Sequence, residues 1–205
     1  MRNNSTSDPY SYDGTNVLKN KLNITDEREL LDYERAIVSK KLLSLYIRPN
    51  NGDFSYKHYV GLHRYLFGDI YPFAGKTRCI DIMKGETYFA HFRYIDSSLN
   101  DILNEMKNEL PKSNDKEEYA LKLAKYYLDI NFVHPFREGN GRCQREFFRE
   151  YVLHLNKVLP FEELELDYSK MNKGLMLVSV ITNNEELMKQ EFLKALIPLE
   201  KEKVK

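Results

Sequence analysis

The sequence has little cysteine, no tryptophan and no long apolar run. Two cysteines, Cys79 and Cys143, are too few for a disulfide framework or for a four-cysteine zinc site, and we expect both to be reduced packing residues. No stretch approaches the roughly 18 apolar residues of a membrane-spanning helix. The polar start of the chain also lacks the apolar core of a signal peptide. These absences favour a soluble, cytoplasmic protein.

Net charge is absent as well, because 31 Lys and Arg residues balance 31 Asp and Glu residues. A general nucleic-acid-binding protein usually shows a basic excess, so this function class is disfavoured. The length of 205 residues fits one globular domain. We expect a flexible N-terminal arm over residues 1–16, anchored by Tyr10 and Tyr12, then one domain over 17–197 and a charged tail over 198–205.

Apolar residues recur at helical spacing through most of the chain. The pattern predicts a first helix capped by Thr25 or Asp26 and ending before the breaker at 48–52. Further helices are predicted over about 55–67, 94–110, 116–132, 141–155, 167–180 and 185–196. The helix over 116–132 is apolar on all sides, which indicates a central, buried position. Only residues 77–92 alternate like a strand pair, with a turn at Lys84-Gly85. The predicted fold class is therefore all-α: a compact bundle of about six to eight helices with one short β-hairpin.

The segment from His134 to Arg145, HPFREGNGRCQR, concentrates residues suited to phosphate chemistry. Pro135 is expected to stop the preceding helix near His134 and to hold that residue extended. The backbone N–H groups of residues 139–141 can converge at the start of the next helix, where the helix dipole is positive. This geometry predicts an anion site.

Charged side chains of the segment complete this prediction. Arg142 and Arg145 share one face at a helix N-terminus, where cations are unfavourable unless an anion lies between them. Glu138 beside phosphates suggests a bridging Mg²⁺ ion, which prefers one or two carboxylates together with phosphate oxygens. His134 is the candidate general base, since imidazole is readily poised near neutral pH. Arg149 extends the same face and is interpreted as an exposed surface charge.

The segment resembles the Fic family motif, H-P-F-x-[D/E]-G-N-G-R-x-x-R, at every specified position. Residues 62–67, residues 71–75 and Arg78 are similar to the helix and turn that lead into the Fic flap. Lys84-Gly85 and Phe89-Ala90 are similar to the flap hairpin itself. The resemblance covers residues 10–196 and implies the Fic fold.

The resemblance implies a protein adenylyltransferase, which moves AMP from ATP to a Ser, Thr or Tyr hydroxyl of a target protein and releases pyrophosphate. His134 would be the catalytic base, Glu138 would hold Mg²⁺, and Pro135 and Phe136 would be structural. The hairpin edge would pair with an extended target segment, for which DNA gyrase or topoisomerase IV subunits are the candidates by resemblance. The residues implied in binding ATP and its phosphates are Arg137, Gly139, Asn140, Gly141, Arg142, Arg145, Lys84 and Gly85.

Some alternatives stay open at this stage. Doc-type relatives, which transfer phosphate, have Lys at the position of Gly141, so glycine favours AMP transfer. Donors such as UTP, GTP or CDP-choline, and a silent nucleotide-binding or partner-binding module, remain possible. A metal hydrolase is disfavoured because no second ligand has a suitable spacing from His134. Cys143 stands where the family often has Thr or Ser, and we expect it to pack.

Many Fic proteins are held inactive by a helix with the motif [S/T]-x-x-x-E-[G/N], whose Glu pairs with the second motif arginine, here Arg145. Two segments fit the first five positions, Thr25–Glu29 and Thr182–Glu186, but both are followed by Leu. The sequence therefore favours the stand-alone toxin type, inhibited by a separate small antitoxin that supplies the helix.

Overall fold

The computed structural model describes residues 8–50, 52–85, 87–111, 115–160 and 162–199. These residues form seven α-helices and four short strands. The helices are α1 (Glu27–Ile47), α2 (Tyr56–Phe67), α3 (Ile95–Asn108), α4 (Lys116–Val133), α5 (Asn140–Val158), α6 (Lys173–Thr182) and α7 (Glu185–Ala195). The strands are β1 (Met83–Lys84), β2 (Thr87–Tyr88), β3 (Leu164–Leu166) and β4 (Leu196–Pro198). The predicted all-α class and helix number are confirmed.

Side-chain caps fix where most helices begin. Asp26, not Thr25, caps α1 by accepting a hydrogen bond from the Glu29 backbone N–H at 2.8 Å. Ser55 caps α2 in the same way. Such caps satisfy backbone donors that have no partner within the helix. The remaining capping side chains are those of Asp115 for α4, Asn172 for α6 and Asn184 for α7.

Helix α4 lies at the centre of the bundle, as its apolar sequence predicts. It packs against α3, α5, α6 and α7. Half of its residues are buried, including Leu123, Tyr127 and Ile130. Because α5 also packs on α2, the loop between α4 and α5 is held by the most buried part of the molecule.

The strands differ from the prediction in one respect. The expected hairpin forms from β1 and β2, with Met83 opposite Tyr88 and Lys84 opposite Thr87. A second antiparallel pair, β3 with β4, was not predicted, so the hairpin is not the only strand pair. Each of these strands has three residues, which is too short for a recognisable alternation, and α6 and α7 separate them in the sequence.

Residues 8–20 pack on the helical domain. The Tyr10 ring meets Phe73 edge-on at 5.0 Å between centroids, and the Tyr12 hydroxyl donates to the Asn20 carbonyl at 3.4 Å. Both tyrosines therefore anchor the arm as expected. The predicted domain bounds stay a prediction, because residues 1–7 and 200–205 of the arm and tail lie outside the described residues.

The two cysteines occupy different environments. Cys143 is buried and packed as expected, but Cys79 is exposed, which corrects its assignment as a packing residue. The Cys79 backbone N–H donates to the Tyr10 hydroxyl at 2.9 Å. Among the helices that the structure describes, none has the length and apolar character needed to span a membrane.

Candidate active site

The segment from His134 to Arg145 runs from the end of α4 into the first turns of α5 and forms the floor of an open cleft of about 1540 Å³. The hairpin forms one wall of this cleft and apolar residues of α6 form another. Nine of the twelve predicted site residues line the cleft: Lys84, Gly85, His134, Arg137, Glu138, Gly139, Asn140, Gly141 and Arg145. Pro135, Phe136 and Arg142 are not among its lining residues. The structure therefore brings the hairpin and the motif together, as predicted.

His134 is the residue that ends α4, and its backbone is left-handed, with φ 45° and ψ 63°. The prediction that Pro135 holds it extended is therefore wrong, although α4 does stop at Val133 as expected. The His134 N–H closes the last helical turn onto the Ile130 carbonyl at 3.1 Å, and the left-handed backbone of His134 then ends the helix. Its imidazole stacks on the Phe89 ring of the hairpin at 3.8 Å between centroids.

The environment of His134 keeps its imidazole neutral. Burial lowers its pKa to about 4; the Asn131 backbone acts in the opposite direction, but the positive charges of Arg78 and Lys84 add to the effect of burial. Nδ1 is buried and makes no hydrogen bond with any residue that the structure describes. At neutral pH the ring is therefore in the unprotonated form, which a general base requires.

Hydrogen bonds within the motif fix the loop between α4 and α5. The Asn140 side chain accepts from the Phe136 N–H at 2.8 Å and donates to the Phe136 carbonyl at 2.7 Å. Phe136 is fully buried, in agreement with its predicted structural role. Because its side chain is committed to the loop, Asn140 can offer only its backbone N–H to a ligand.

Gly139 lets the start of α5 approach the body of the domain closely. Its φ of 83° is left-handed, and a Cβ built there would lie 2.4 Å from the Phe67 ring. The backbone N–H groups of the first turn of α5 have no partner within the helix. Residues 138–141 line the cleft, so this helix end has the geometry that an anion site requires, and the anion site itself stays a prediction.

The two motif arginines have different partners. Arg142 donates to the buried carboxylate of Glu34 on α1 at 2.5 Å and to Glu138 Oε1 at 3.1 Å. It also stacks over the Phe67 ring, at 4.8 Å from its centroid. Arg145 is exposed and has no ion-pair partner among the described residues. Arg142 is thus held by the protein, whereas the Arg145 charge faces the cleft.

Arg149 is not the exposed surface charge that the sequence suggested. It donates to both carboxylate oxygens of Glu146, at 2.6 and 3.0 Å, and to the Leu45 carbonyl. Only 13% of its side chain is exposed. It therefore connects α5 to α1 and has a structural role.

Glu138 keeps part of its carboxylate available. Its Oε1 accepts from the Gly139 N–H at 2.8 Å and from Arg142, and the side chain is 41% exposed. One carboxylate next to a helix N-terminus fits a Mg²⁺ ion that takes its other ligands from a nucleotide and from water. No group of three potential metal ligands occurs among the described residues, so the protein would supply Glu138 rather than a complete cage.

Arg137 occupies the variable position of the motif, and Asp8 of the N-terminal arm holds its guanidinium. Its Nε and Nη2 donate to Asp8 Oδ2 at 3.0 and 2.6 Å. Burial raises the pKa of Asp8, but the hydrogen bonds and the charge of Arg137 outweigh it, so the net pKa is lowered. The arm therefore reaches the edge of the cleft.

Sequence reasoning assigned no site role to His63, a buried residue of α2 that contacts the motif at Phe136 and Glu138. Its Nδ1 accepts from the Gly75 N–H at 2.9 Å, so Nε2 has the proton and donates to the Glu138 carbonyl at 2.9 Å. Its ring stacks on Phe136 at 3.7 Å. Burial lowers the His63 pKa to about 4, and the Arg142 charge adds to this effect. A single buried histidine gives no sequence signal of such a role.

Comparison with known proteins identifies the family. Residues 53–152 match the model of the Fic/DOC family. A probable protein adenylyltransferase, y4lH of Sinorhizobium fredii, is 35% identical over 88% of this chain and 90% of its own length. The chain belongs to the Fic/DOC family. The probable protein adenylyltransferase Fic of Escherichia coli is 32% identical over 77% of this chain and 78% of its own length.

Solved Fic structures have the same fold as this Fic/DOC chain. The BepC protein of Bartonella tribocorum, crystallised with AMPPNP, is 26% identical and superposes with a TM-score of 0.79 over 93% of this chain and 97% of that one. The predicted Fic fold is therefore confirmed. The named relatives also confirm the predicted enzyme class, protein adenylyltransferase.

Proposed function

We propose that this Fic/DOC chain transfers AMP from ATP to a Ser, Thr or Tyr hydroxyl of a protein target, with His134 as the general base. The observation that supports this best is the placement of a neutral imidazole at one end of a cleft whose floor is the N-terminus of α5. A base and an anion site on one rigid loop are the two elements that nucleotidyl transfer requires, because such reactions depend on positioning and charge neutralisation.

Each motif residue then has one role. His134 would take the proton of the target hydroxyl as that oxygen attacks the α-phosphorus of ATP, and pyrophosphate would leave. The first N–H groups of α5, at Asn140 and Gly141, would hold phosphate oxygens, and Arg145 would neutralise the outer phosphates. Glu138 would hold Mg²⁺, which when bound supplies positive charge to the phosphates. Lys84 and Gly85 at the hairpin turn would border the nucleotide.

Gly141 supports AMP transfer over phosphate transfer. A Cβ at this position would already lie 3.2 Å from Arg145 Nη1. A lysine, as in Doc-type relatives, would therefore crowd the guanidinium that we assign to the outer phosphates. With glycine, that space stays open for them.

The target would dock on the hairpin. Tyr88 is 71% exposed and Met83 is 51% exposed, so the hairpin presents apolar side chains to solvent. An extended peptide can add to the open edge of such a strand pair and gain main-chain hydrogen bonds. Because Phe89 of the hairpin stacks on His134, a peptide bound there would bring a hydroxyl close to the base. Subunits of DNA gyrase or topoisomerase IV are the targets that we would test first.

Mass spectrometry of the purified chain with ATP and Mg²⁺ tests the reaction. Wild type should gain the mass of one AMP group, on itself or on an added target, and His134→Ala should gain nothing. Parallel incubations with UTP, GTP and CDP-choline establish the donor. A gain of phosphate alone would show a kinase instead, and an equal absence of product in both proteins with every target tried would refute a transferase.

We also propose that a separate small protein inhibits the enzyme by placing a carboxylate on Arg145. Within the described part of the chain, neither candidate internal glutamate forms an ion pair with Arg145: Glu29 is an exposed residue in the first turn of α1, and Glu186, in the first turn of α7, lies 3.6 Å from Lys189. Expression of wild type in bacteria should slow growth, and co-expression of a helix with the sequence pattern [S/T]-x-x-x-E-[G/N] should restore it. Equal growth with wild type and His134→Ala would refute this proposal.

A further inference from the structure

Arg78 is buried beneath the cleft and makes an unusual set of contacts. Only 2% of the residue is exposed, yet its closest carboxylate, that of Asp81, is 3.8 Å away. Its guanidinium donates to four backbone carbonyls instead. A buried cation is costly unless polar partners compensate it, so these carbonyls account for its position.

The four carbonyls belong to two different parts of the active site. Nε donates to the His134 carbonyl at 2.9 Å, and Nη2 donates to the Val133 carbonyl at 3.2 Å. On the other side, Nη1 donates to the Ile80 carbonyl at 2.7 Å and Nη2 to the Ala90 carbonyl at 2.5 Å. Val133 and His134 end α4, whereas Ile80 and Ala90 stand at the two ends of the hairpin segment.

The end of α4 is suited to such a contact. The last carbonyls of a helix have no partner within it, and the dipole makes this end favourable for a cation. A guanidinium has five donors in one plane, so it can bind carbonyls on both sides at once. Lysine has a single ammonium group and cannot span both sets in the same way.

Backbone hydrogen bonds join the same two parts. The Arg78 N–H donates to the Pro135 carbonyl at 2.8 Å, and the Ala90 N–H donates to the Phe132 carbonyl at 3.0 Å. The stacking of Phe89 on His134 adds a side-chain contact. The left-handed backbone of His134 costs about 1 kcal/mol or more and persists only where its surroundings fix it.

We propose that Arg78 is a positioning residue that fixes the hairpin, where the target would dock, in register with His134. This inference rests on the proposed function for its catalytic consequence. The connection that Arg78 makes between the hairpin segment and the end of α4 can be tested independently. Arg78 does not touch the nucleotide site at the start of α5. Its loss should therefore misplace the hydroxyl relative to the base and leave ATP binding intact.

The first test compares Arg78→Lys and Arg78→Gln with the matched control Arg93→Lys, which changes an exposed arginine just beyond the hairpin. The AMP-transfer rate at saturating ATP should fall about 10- to 100-fold in the Arg78 variants, because small misplacements of reacting groups cost rates of this order. The affinity for ATP, measured by calorimetry, should stay within about twofold. A parallel loss of ATP affinity and transfer, or no loss of either, would overturn the proposal.

The second test needs no catalytic activity. Trypsin should cleave after Lys84 at least about fivefold faster in Arg78→Lys than in wild type or Arg93→Lys, because the ends of the hairpin segment lose their anchor. An unchanged cleavage rate in a folded variant would show that Arg78 does not hold the hairpin segment, even if AMP transfer is never observed. If wild type has no transferase activity, the proposed function fails. The tryptic cleavage rate after Lys84 still decides whether Arg78 holds the hairpin segment.

A measurement on wild type covers the case in which the Arg78 variants do not fold. In a nitrogen-15 NMR spectrum, the Nε–H of Arg78 should exchange with solvent at least about tenfold more slowly than that of Arg93, since it is buried and bonded to the His134 carbonyl. Equal exchange rates for the two arginines would overturn the proposal.

Discussion

The contact between Glu34 and Arg142 predicts a large stability cost when Glu34 is changed. Glu34 lies on α1, is 3% exposed, and accepts hydrogen bonds from both Arg142 and the Tyr71 hydroxyl. Removal of one partner of a buried ion pair costs about 3–5 kcal/mol, because the other charge stays buried. Here Arg142 is 24% exposed and keeps Glu138 as a second partner, so the lower end applies. We expect about 3 kcal/mol for Glu34→Ala.

Urea denaturation at pH 7 and 25 °C measures this cost. Glu34→Gln keeps one oxygen, which can still accept from Arg142, while its NH2 group replaces the oxygen that accepts from Tyr71 and can donate to the Tyr71 hydroxyl instead. It therefore loses the charge but keeps neutral partners, and we expect about 1–2 kcal/mol. The control is Glu29→Ala, an exposed glutamate in the same helix, which should stay within about 0.5 kcal/mol. For a chain of this size, 3 kcal/mol corresponds to a fall in Tm of about 6–12 °C.

A double-mutant cycle with Tyr71→Phe refines the result. If the tyrosine hydroxyl and Arg142 share one carboxylate, the losses from Glu34→Gln and Tyr71→Phe should be coupled by about 1 kcal/mol. A Glu34→Ala variant that costs no more than Glu29→Ala would refute the reasoning, since the ion pair would then contribute nothing measurable to the fold.

Three further predictions concern the histidines, Gly141 and the arm. Since folding keeps His63 and His134 neutral, the stability that they contribute is full above pH 6.5 and is lost as the pH falls towards 4. Urea denaturation should show a loss of about 1–2 kcal/mol per histidine between pH 7 and 5, which His134→Ala halves and which a flat profile would contradict. Gly141→Lys should weaken ATP binding about tenfold in calorimetry, whereas Gly61→Lys, at an open site on α2, should not. Asp8→Asn should release Arg137 and increase the rate of tryptic cleavage after Lys19, with Asp13→Asn as the control. Equal cleavage rates in the two variants would show that the contact between Asp8 and Arg137 does not hold the arm.

The local arrangement of the candidate site could be predicted because its residues are contiguous. From His134 to Arg145, the sequence order alone places a base, a carboxylate, a tight turn and two cations at one helix start. Local rules are sufficient for such a segment, since its helix end, glycines and charges lie within a few residues of each other. The same local rules placed the hairpin turn at Lys84-Gly85.

The supports of the site could not be predicted in this way. Glu34 pairs with a residue 108 positions away, and His63 bonds a carbonyl 75 positions away. Neither residue differs in type or spacing from an ordinary helix residue. The wrong prediction for His134 has the same origin, because the steric preference of a residue before proline was overridden by its contacts with the end of α4 and with Arg78.

The structure also separates the roles of two arginines that the motif presents as equivalent. An inhibitory carboxylate that bound Arg142 would have to compete with Glu34, which is buried and already paired, and would forfeit an interaction of several kcal/mol. A carboxylate that bound Arg145 would displace no ion pair within the described residues and would gain the full charge-assisted contact. Under the proposed function, the outer phosphates of ATP would have the same preference for Arg145. Nucleotide and inhibitor should therefore compete for this one side chain, and Arg145→Lys, which keeps the charge but loses the planar guanidinium, should weaken both.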